Sequence, residues 1–212
     1  MNTAIYPQTL PPKTAQLFQV LSQTKPEFLS SFYLSGGTAL SLQLGHRESE
    51  DLDFFTKAPF QPNQIERQLL PYGTLSETEL APGTLNTYLN GVKLQFLLYP
   101  YRLIEPLIPW EDVNLSSVID IACTKLQTIG MRGSKKDFID LYFLLQQFSL
   151  ETFLEQIKKK YEESDYSETH ILKSLIYFDD AETQPIPRLH QDVSWNKVKE
   201  TLVSAVKSIP II

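Results

Sequence analysis

The stretch YLSGGTALSLQLGHRESEDLDFF, Tyr33 to Phe55, sets one short helical run between two strand-like runs. FYLS, 32–35, reads as a strand. GGTALSLQL reads as a turn into a short helix stopped by Gly45, and DLDFF as a strand of period two. Residues two apart in a strand face the same way, so Asp51 and Asp53 share one face while Leu52 and Phe54 turn toward a core. Two carboxylates so close repel, and one is expected to hold a proton unless a cation lies between them. Mg²⁺ resolves the conflict, because it takes hard oxygen ligands and keeps waters and phosphate oxygens as well. Gly36 and Gly37, lacking Cβ atoms, admit a ligand close to the backbone. A helix starting near Thr38 turns free N–H groups and its positive end to the same place, which suits a phosphate; Ser35 and Thr38 add hydroxyl donors. A lone glycine pair is most often a turn, and a lone D-x-D most often a solvated face. Together, on either side of one short helix, they describe a site for a metal-bound nucleoside triphosphate.

Working outward, Pro11 and Pro12 suit the first turn of a helix running through AQLFQVLSQ, with Leu17, Val20 and Leu21 as its apolar face. Residues 62–70 read as a short helix. The runs LNTYL and VKLQFLL read as strands joined at Asn90-Gly91, the strongest short hairpin signal. Residues 100–115, with Pro100, Pro106 and Pro109, read as loop. Helices are then expected over 117–131, 135–148, 150–161, 168–178 and 195–208. Gly133 ends the first of these, Ser134 caps the second and Ser194 caps the last. The fold class is α+β: a mixed sheet with flanking helices over 1–112, followed by a helical region over 113–212.

Composition narrows the classes. The 212 residues are 42% hydrophobic and 21% charged, as in an ordinary globular protein. No apolar run approaches the roughly 18 residues that span a bilayer, and the N-terminal stretch lacks the pattern of a secretion signal. A single cysteine, Cys123, excludes an internal disulfide and argues against a cysteine-based zinc site. A net charge of -6 argues against a general nucleic-acid coat. A cytoplasmic protein with no membrane partner is expected.

Five runs carry a family resemblance: GGTAL (Gly36 to Leu40), LGHRESEDLDFF (Leu44 to Phe55), VKLQFLLYPY (Val92 to Tyr101), DIACTK (Asp120 to Lys125) and RGSKKDFIDLYFLL (Arg132 to Leu145). They resemble the nucleotidyltransferase superfamily, and more closely its AbiEii/AbiGii toxin family, known from abortive-infection and toxin–antitoxin systems. The match runs over about residues 30–148. The resemblance implies a nucleotidyltransferase-like fold whose helical domain shares the active-site cleft. It implies transfer of a nucleoside monophosphate from an NTP to an acceptor hydroxyl, with tRNA as the acceptor and a cognate antitoxin as a partner. Asp51 and Asp53 would ligate Mg²⁺, Gly36, Gly37 and Thr38 would hold the triphosphate, Lys125 would approach the phosphates, and Asp137 and Asp140 would line the site. The family usually carries a third carboxylate on the strand after the hairpin, and here that position is Gln95. This departure leaves open a nucleotide-binding regulator without turnover. Transfer to a small molecule is the other alternative.

Several residues read two ways. Lys93 shares a strand face with Gln95, as a triphosphate ligand or as an exposed lysine. Asp137 is either catalytic or the third-position partner of a capping box with Ser134. Asp140, on a stripe with Asp137, Leu141, Leu144 and Phe148, favours function, because an isolated buried charge is costly; its alternative is an ion pair with Lys136 or Arg132. Lys125 reaches a phosphate or snorkels to water. Asp120 reads as an acid at a helix start. Arg47 contacts phosphates or, the reading favoured, pairs with Glu50 or Asp51; His46 is read as a hydrogen-bonded loop residue, and Lys158 to Lys160 as a solvated helix end in preference to an RNA-backbone contact.

Overall fold

The computed structural model describes residues 4–164 and 166–210; residues 1–3, at the head of the stretch read as lacking a secretion signal, lie outside these. The chain divides into two compact units, Met1–Tyr101 with Pro106–Ser117, and Arg102–Glu105 with Val118–Ile212. No helix among the described residues is long and apolar enough to cross a membrane.

In the first unit, helix α1 (Pro12–Thr24) leads through a 3₁₀ turn to strand β1 (Tyr33–Ser35), helix α2 (Gly36–Leu44) and strand β2 (Leu52–Thr56). Helix α3 (Pro62–Leu69) follows, then strands β3 (Leu75–Ala81), β4 (Thr84–Leu89), β5 (Val92–Leu98), β6 (Ile108–Trp110) and β7 (Val113–Leu115). Among the described residues these seven strands form one mixed sheet in the order β3-β4-β5-β2-β1-β7-β6. β1 runs antiparallel to β2, and β2 parallel to β5. Period-two alternation gives the sheet its two characters. Leu52, Phe54, Leu85, Leu94 and Phe96 turn to one face and are fully buried. Phe54 stacks on Phe96 with ring centroids 5.1 Å apart. Asp53, Lys93, Gln95 and Asn86, alternating with these, turn to the other face.

Residues 100–115 are not a loop throughout, because β6 and β7 lie within them. Three-residue strands are too short to show a period, and Pro109 is tolerated because β6 is an edge strand. β3 is equally hidden in the sequence. It is the opposite edge, exposed along most of its length, so LSETELA shows no apolar alternation, and a register shift between Ser76 and Glu79 interrupts it. On α1 the buried residues include Leu17, Phe18 and Leu21, with Phe18 stacked 4.5 Å from Trp110.

The second unit holds helices α4 (Val118–Arg132), α5 (Lys135–Leu144), α6 (Leu150–Lys160), α7 (Glu168–Ser174), α8 (Asp179–Glu182) and α9 (Trp195–Lys207). The helix expected over 168–178 is therefore the shorter α7, and α5 ends before 148. Ser149, Ser167 and Ser194 cap α6, α7 and α9 by accepting the N–H of Thr152, His170 and Lys197. Each such cap is worth about 1 kcal/mol. Phe138, Phe178 and Trp195 pack edge to face, and Lys135 Nζ donates to the carbonyls of Glu182 and Gln184.

The run Lys158 to Lys160 is not uniformly solvated. Lys158 pairs on the surface with Glu168, but Lys160 is buried, 2.6 Å from Asp120 Oδ1 and 3.0 Å from the Arg102 carbonyl it donates to. A helical turn buries every third or fourth residue, and position 160 follows Phe153 and Ile157 on the inner stripe of α6. Asp120 does more than begin a helix: it also accepts the N–H groups of Ile104 and Glu105. These bonds tie the 102–105 segment to the helical unit.

Removing one partner of a buried ion pair leaves the other charge uncompensated, which costs about 3–5 kcal/mol. Lys160→Met is expected to lower the unfolding free energy by that amount in urea titration, and Asp120→Asn combined with it to recover part of the loss. Cys123 gives a pH signature. Burial pushes its thiol from 9.0 up to about 12, only partly opposed by the Lys160 ammonium. A raised folded-state value means the stabilisation is complete below about pH 9 and lost as pH rises toward 12. The folded chain should leave Cys123 unreactive to a thiol reagent at pH 8, and urea should expose it at once.

Candidate functional site

In the first unit the sheet and α2 together shape the site. β1 runs directly into α2, and Ser35, the last strand residue, stands in register with Asp53 of β2. Asp53 in turn stands in register with Gln95 of β5, and Gln95 with Asn86 of β4. Ser35, Asp53, Gln95 and Asn86 thus form one row across four adjacent strands, all on the face away from Leu52 and Phe54.

Gly36 opens α2 with φ +65°, a conformation L side chains rarely adopt. A Cβ on it would lie 2.2 Å from Asp53 Oδ2. The Asp53 carboxylate therefore rests in the space a side chain would fill, directly against the start of α2. Gly37 is constrained by a different neighbour. A Cβ there would meet Arg47 Nη2 at 2.6 Å and Ser49 Oγ at 3.2 Å. Arg47 is buried, and its Nη1 donates to the Glu48 carbonyl at 2.8 Å. The loop before β2 thus packs its guanidinium beneath the second glycine.

The hydroxyls serve the scaffold. Thr38 is fully buried; its Oγ1 lies 2.9 Å from Ser49 Oγ and donates to the Asp51 carbonyl, holding the start of β2 against α2. Ser35 Oγ accepts from Ser116 Oγ at 2.9 Å. Gly36, Gly37, Asp51, Asp53 and Gln95 are each half-buried. Gln95 Nε2 donates to Asn86 Oδ1 at 2.9 Å. Lys93 is exposed on the same face, in register with Tyr88. His46 is fully buried.

Among the described residues no group of three or more His, Cys, Asp or Glu side chains is placed to hold a metal. Asp51 and Asp53, with the Gln95 amide, would offer a cation oxygen ligands only. Such a set suits a cation that completes its shell with water and phosphate, and does not suit zinc.

In the helical unit the sequence-predicted residues form a second cluster. Lys125 Nζ of α4 lies 2.7 Å from Asp137 Oδ1 and 2.7 Å from Asp140 Oδ2, both on α5, and all three are buried. One partner of Asp140 is thus a lysine of the neighbouring helix, brought to it by the sharp connection at Gly133. Asp137 also accepts from the Ser134 N–H at 3.3 Å and Ser134 Oγ at 2.5 Å, so the capping box and the ion pair coexist.

Sequence reasoning gave Asn86 no role, although a signal for it existed. A two-residue loop at Asn90-Gly91 pairs Leu89 with Val92 and, counting outward, Asn86 with Gln95. The packing of Arg47 under Gly37 left no such trace.

Comparison with known proteins gives three findings. A family model described as "Nucleotidyl transferase AbiEii toxin, Type IV TA system" matches residues 19–82 and 97–209. An uncharacterised protein of Aquifex aeolicus (strain VF5), aq_aa25, is 39% identical over 188 residues, covering 84% of this chain and 87% of its own. Among solved structures, a Helicobacter pylori protein described as a candidate nucleotidyltransferase aligns with a TM-score of 0.56 at 18% identity, over 93% of this chain and 94% of that one. MenT4, the nucleotidyltransferase toxin Rv2826c of Mycobacterium tuberculosis H37Rv, aligns with a TM-score of 0.50 at 12% identity, over 94% and 87%. At these identities the solved structures establish the fold.

Gly36→Ala must both adopt a left-handed backbone and displace the Asp53 carboxylate. The backbone alone costs about 1–2 kcal/mol, so a loss at or above that range is expected in urea unfolding. Adding Asp53→Ala should return part of it, because the two changes share one volume. Strict additivity of the two would contradict the packing described.

Proposed function

The chain belongs to the AbiEii nucleotidyltransferase toxin family, and from that premise we propose that it is a Mg²⁺-dependent toxin that transfers a nucleoside monophosphate from an NTP to the 3′ end of tRNA. The observation that carries the reading is the Asp53 carboxylate lying against Gly36, which brings one of the two acids to the glycine-led helix start.

Asp51 and Asp53 would hold the metal, which neutralises charge on the phosphates and on the attacking oxygen. The backbone N–H groups at Gly36 and Gly37, with the positive end of α2, receive the outer phosphates. The acceptor oxygen bonds to the α-phosphorus as the bond to the bridging oxygen breaks; pyrophosphate leaves and the hydroxyl proton is released. Lys93 lies on the site's face with its ammonium open to a phosphate. In the helical unit Asp137 and Asp140 steady the Lys125 ammonium, which the family resemblance would give to a phosphate. Ser35 and Thr38 act through their hold on the strand ends rather than on the ligand. The family description names a toxin–antitoxin system, which supports a cognate antitoxin as partner.

Gln95 favours a second reading, binding of nucleotide without turnover, since the row beside Asp53 brings a neutral amide. Incubation with total tRNA and each labelled NTP separates the two. Labelled tRNA with release of pyrophosphate is expected for the wild type. Asp51→Asn and Asp53→Asn should each lower the transfer rate at least about 100-fold, as loss of a charge-stabilising group does. Full transfer by both variants would end the proposal, and NTP binding with no transfer to any acceptor would leave the regulator.

A further inference from the structure

We propose that Asn86 is a positioning residue for the metal site: it holds the Gln95 amide so that the carbonyl oxygen, and not the NH₂ group, is offered beside Asp53. The inference rests on the metal-site reading above and adds a residue to it.

An amide side chain next to a carboxylate has an obvious partner. Its NH₂ group donates and a carboxylate accepts, so Gln95 beside Asp53 would be drawn to turn its nitrogen inward. That orientation would cap the carboxylate and place two N–H donors where a cation should sit. The structure shows the opposite choice. Gln95 Nε2 is engaged on the far side, 2.9 Å from Asn86 Oδ1. Register makes this possible, because Asp53 and Asn86 flank Gln95 on its two neighbouring strands and all three face the same way. With the nitrogen held by β4, Oε1 is the end left for the β2 side.

The orientation of Asn86 has its own bias. Glu79 of β3 is its register partner on the outer side. A carboxylate accepts only, so its charge favours the Asn86 nitrogen toward β3 and its oxygen toward Gln95. The row Glu79, Asn86, Gln95, Asp53 therefore carries one polarity from the exposed edge strand inward. It ends in a neutral oxygen next to a charged one. Groups that orient a ligand's neighbour in this way change metal affinity about 10–100-fold when removed.

The test is Mn²⁺ affinity of the full chain, read by electron paramagnetic resonance of the free ion with no nucleotide present. Asn86→Leu, an exchange well suited to a half-buried strand position, is expected to weaken Mn²⁺ binding at least about tenfold. Asn86→Asp keeps an acceptor for Nε2 and should restore affinity to within about threefold of the wild type. Gln95→Leu should lose as much as Asn86→Leu, and the double variant no more than either, since both act through one oxygen. If Asn86→Leu binds Mn²⁺ like the wild type while Asp53→Asn does not bind it, the positioning role is overturned and the metal site stands. If Asp53→Asn also binds like the wild type, the metal site itself falls, and this inference with it. A melting curve within a few degrees of the wild type confirms that each variant is folded.

Discussion

The Asp53 carboxylate occupies the volume that Gly36 leaves empty. Thr38 and Ser35 hold the strand that carries it. A carboxylate can lie against a helix start only if the first residue has no side chain, and only if the strand that carries it is locked at the right height. Thr38 supplies the lock by donating to the Asp51 carbonyl, and register with Ser35 fixes the remaining freedom. The positive end of α2 favours the negative charge so placed. The glycine therefore serves its own protein first. The missing atom is what lets the acid in.

Two kinds of charge burial coexist in the chain, and they answer to different constraints. Lys160 and Asp120 are enclosed, and they bond to the 102–105 backbone and to each other. This is the pattern of a fastening. Lys125, Asp137 and Asp140 are also buried, but one ammonium there faces two carboxylates. Burying charge at such density costs desolvation free energy that an apolar cluster of the same volume would not.

The sequence was most legible where local and tertiary forces agree. GGTALSLQLG could be read as a helix with both ends because a glycine marks each terminus. DLDFF showed its two faces because one of them is fully buried. The Asn90-Gly91 turn fixed a register of six residue pairs. The edges were illegible for the converse reason. β3 and β6 have one strand neighbour and little apolar burial, so neither shows a pattern, and Pro109 even argues against the strand it occupies. Lys160 misled because three consecutive lysines look like a solvated end, and only the helical phase of Phe153 and Ile157 separates the third from the others. Of the candidate site, residue types and spacing singled out the acids and the glycines. The roles of Thr38, Ser35 and Arg47 depend on where a loop folds back, which no local pattern encodes.

An uncharged residue beside the acids has a physical consequence whatever its origin. A divalent ion between two carboxylates is already near neutrality before its phosphate ligands arrive. A third carboxylate would bind the ion more tightly in the absence of substrate, and would then repel the triphosphate. A neutral oxygen gives up some ion affinity and avoids that repulsion, so more of the ion's binding energy appears only when nucleotide is present. On the proposed reading, Gln95 would shift metal binding from the free protein toward the nucleotide complex, and the Asn86 bond that holds its nitrogen would keep its oxygen on the Asp53 side.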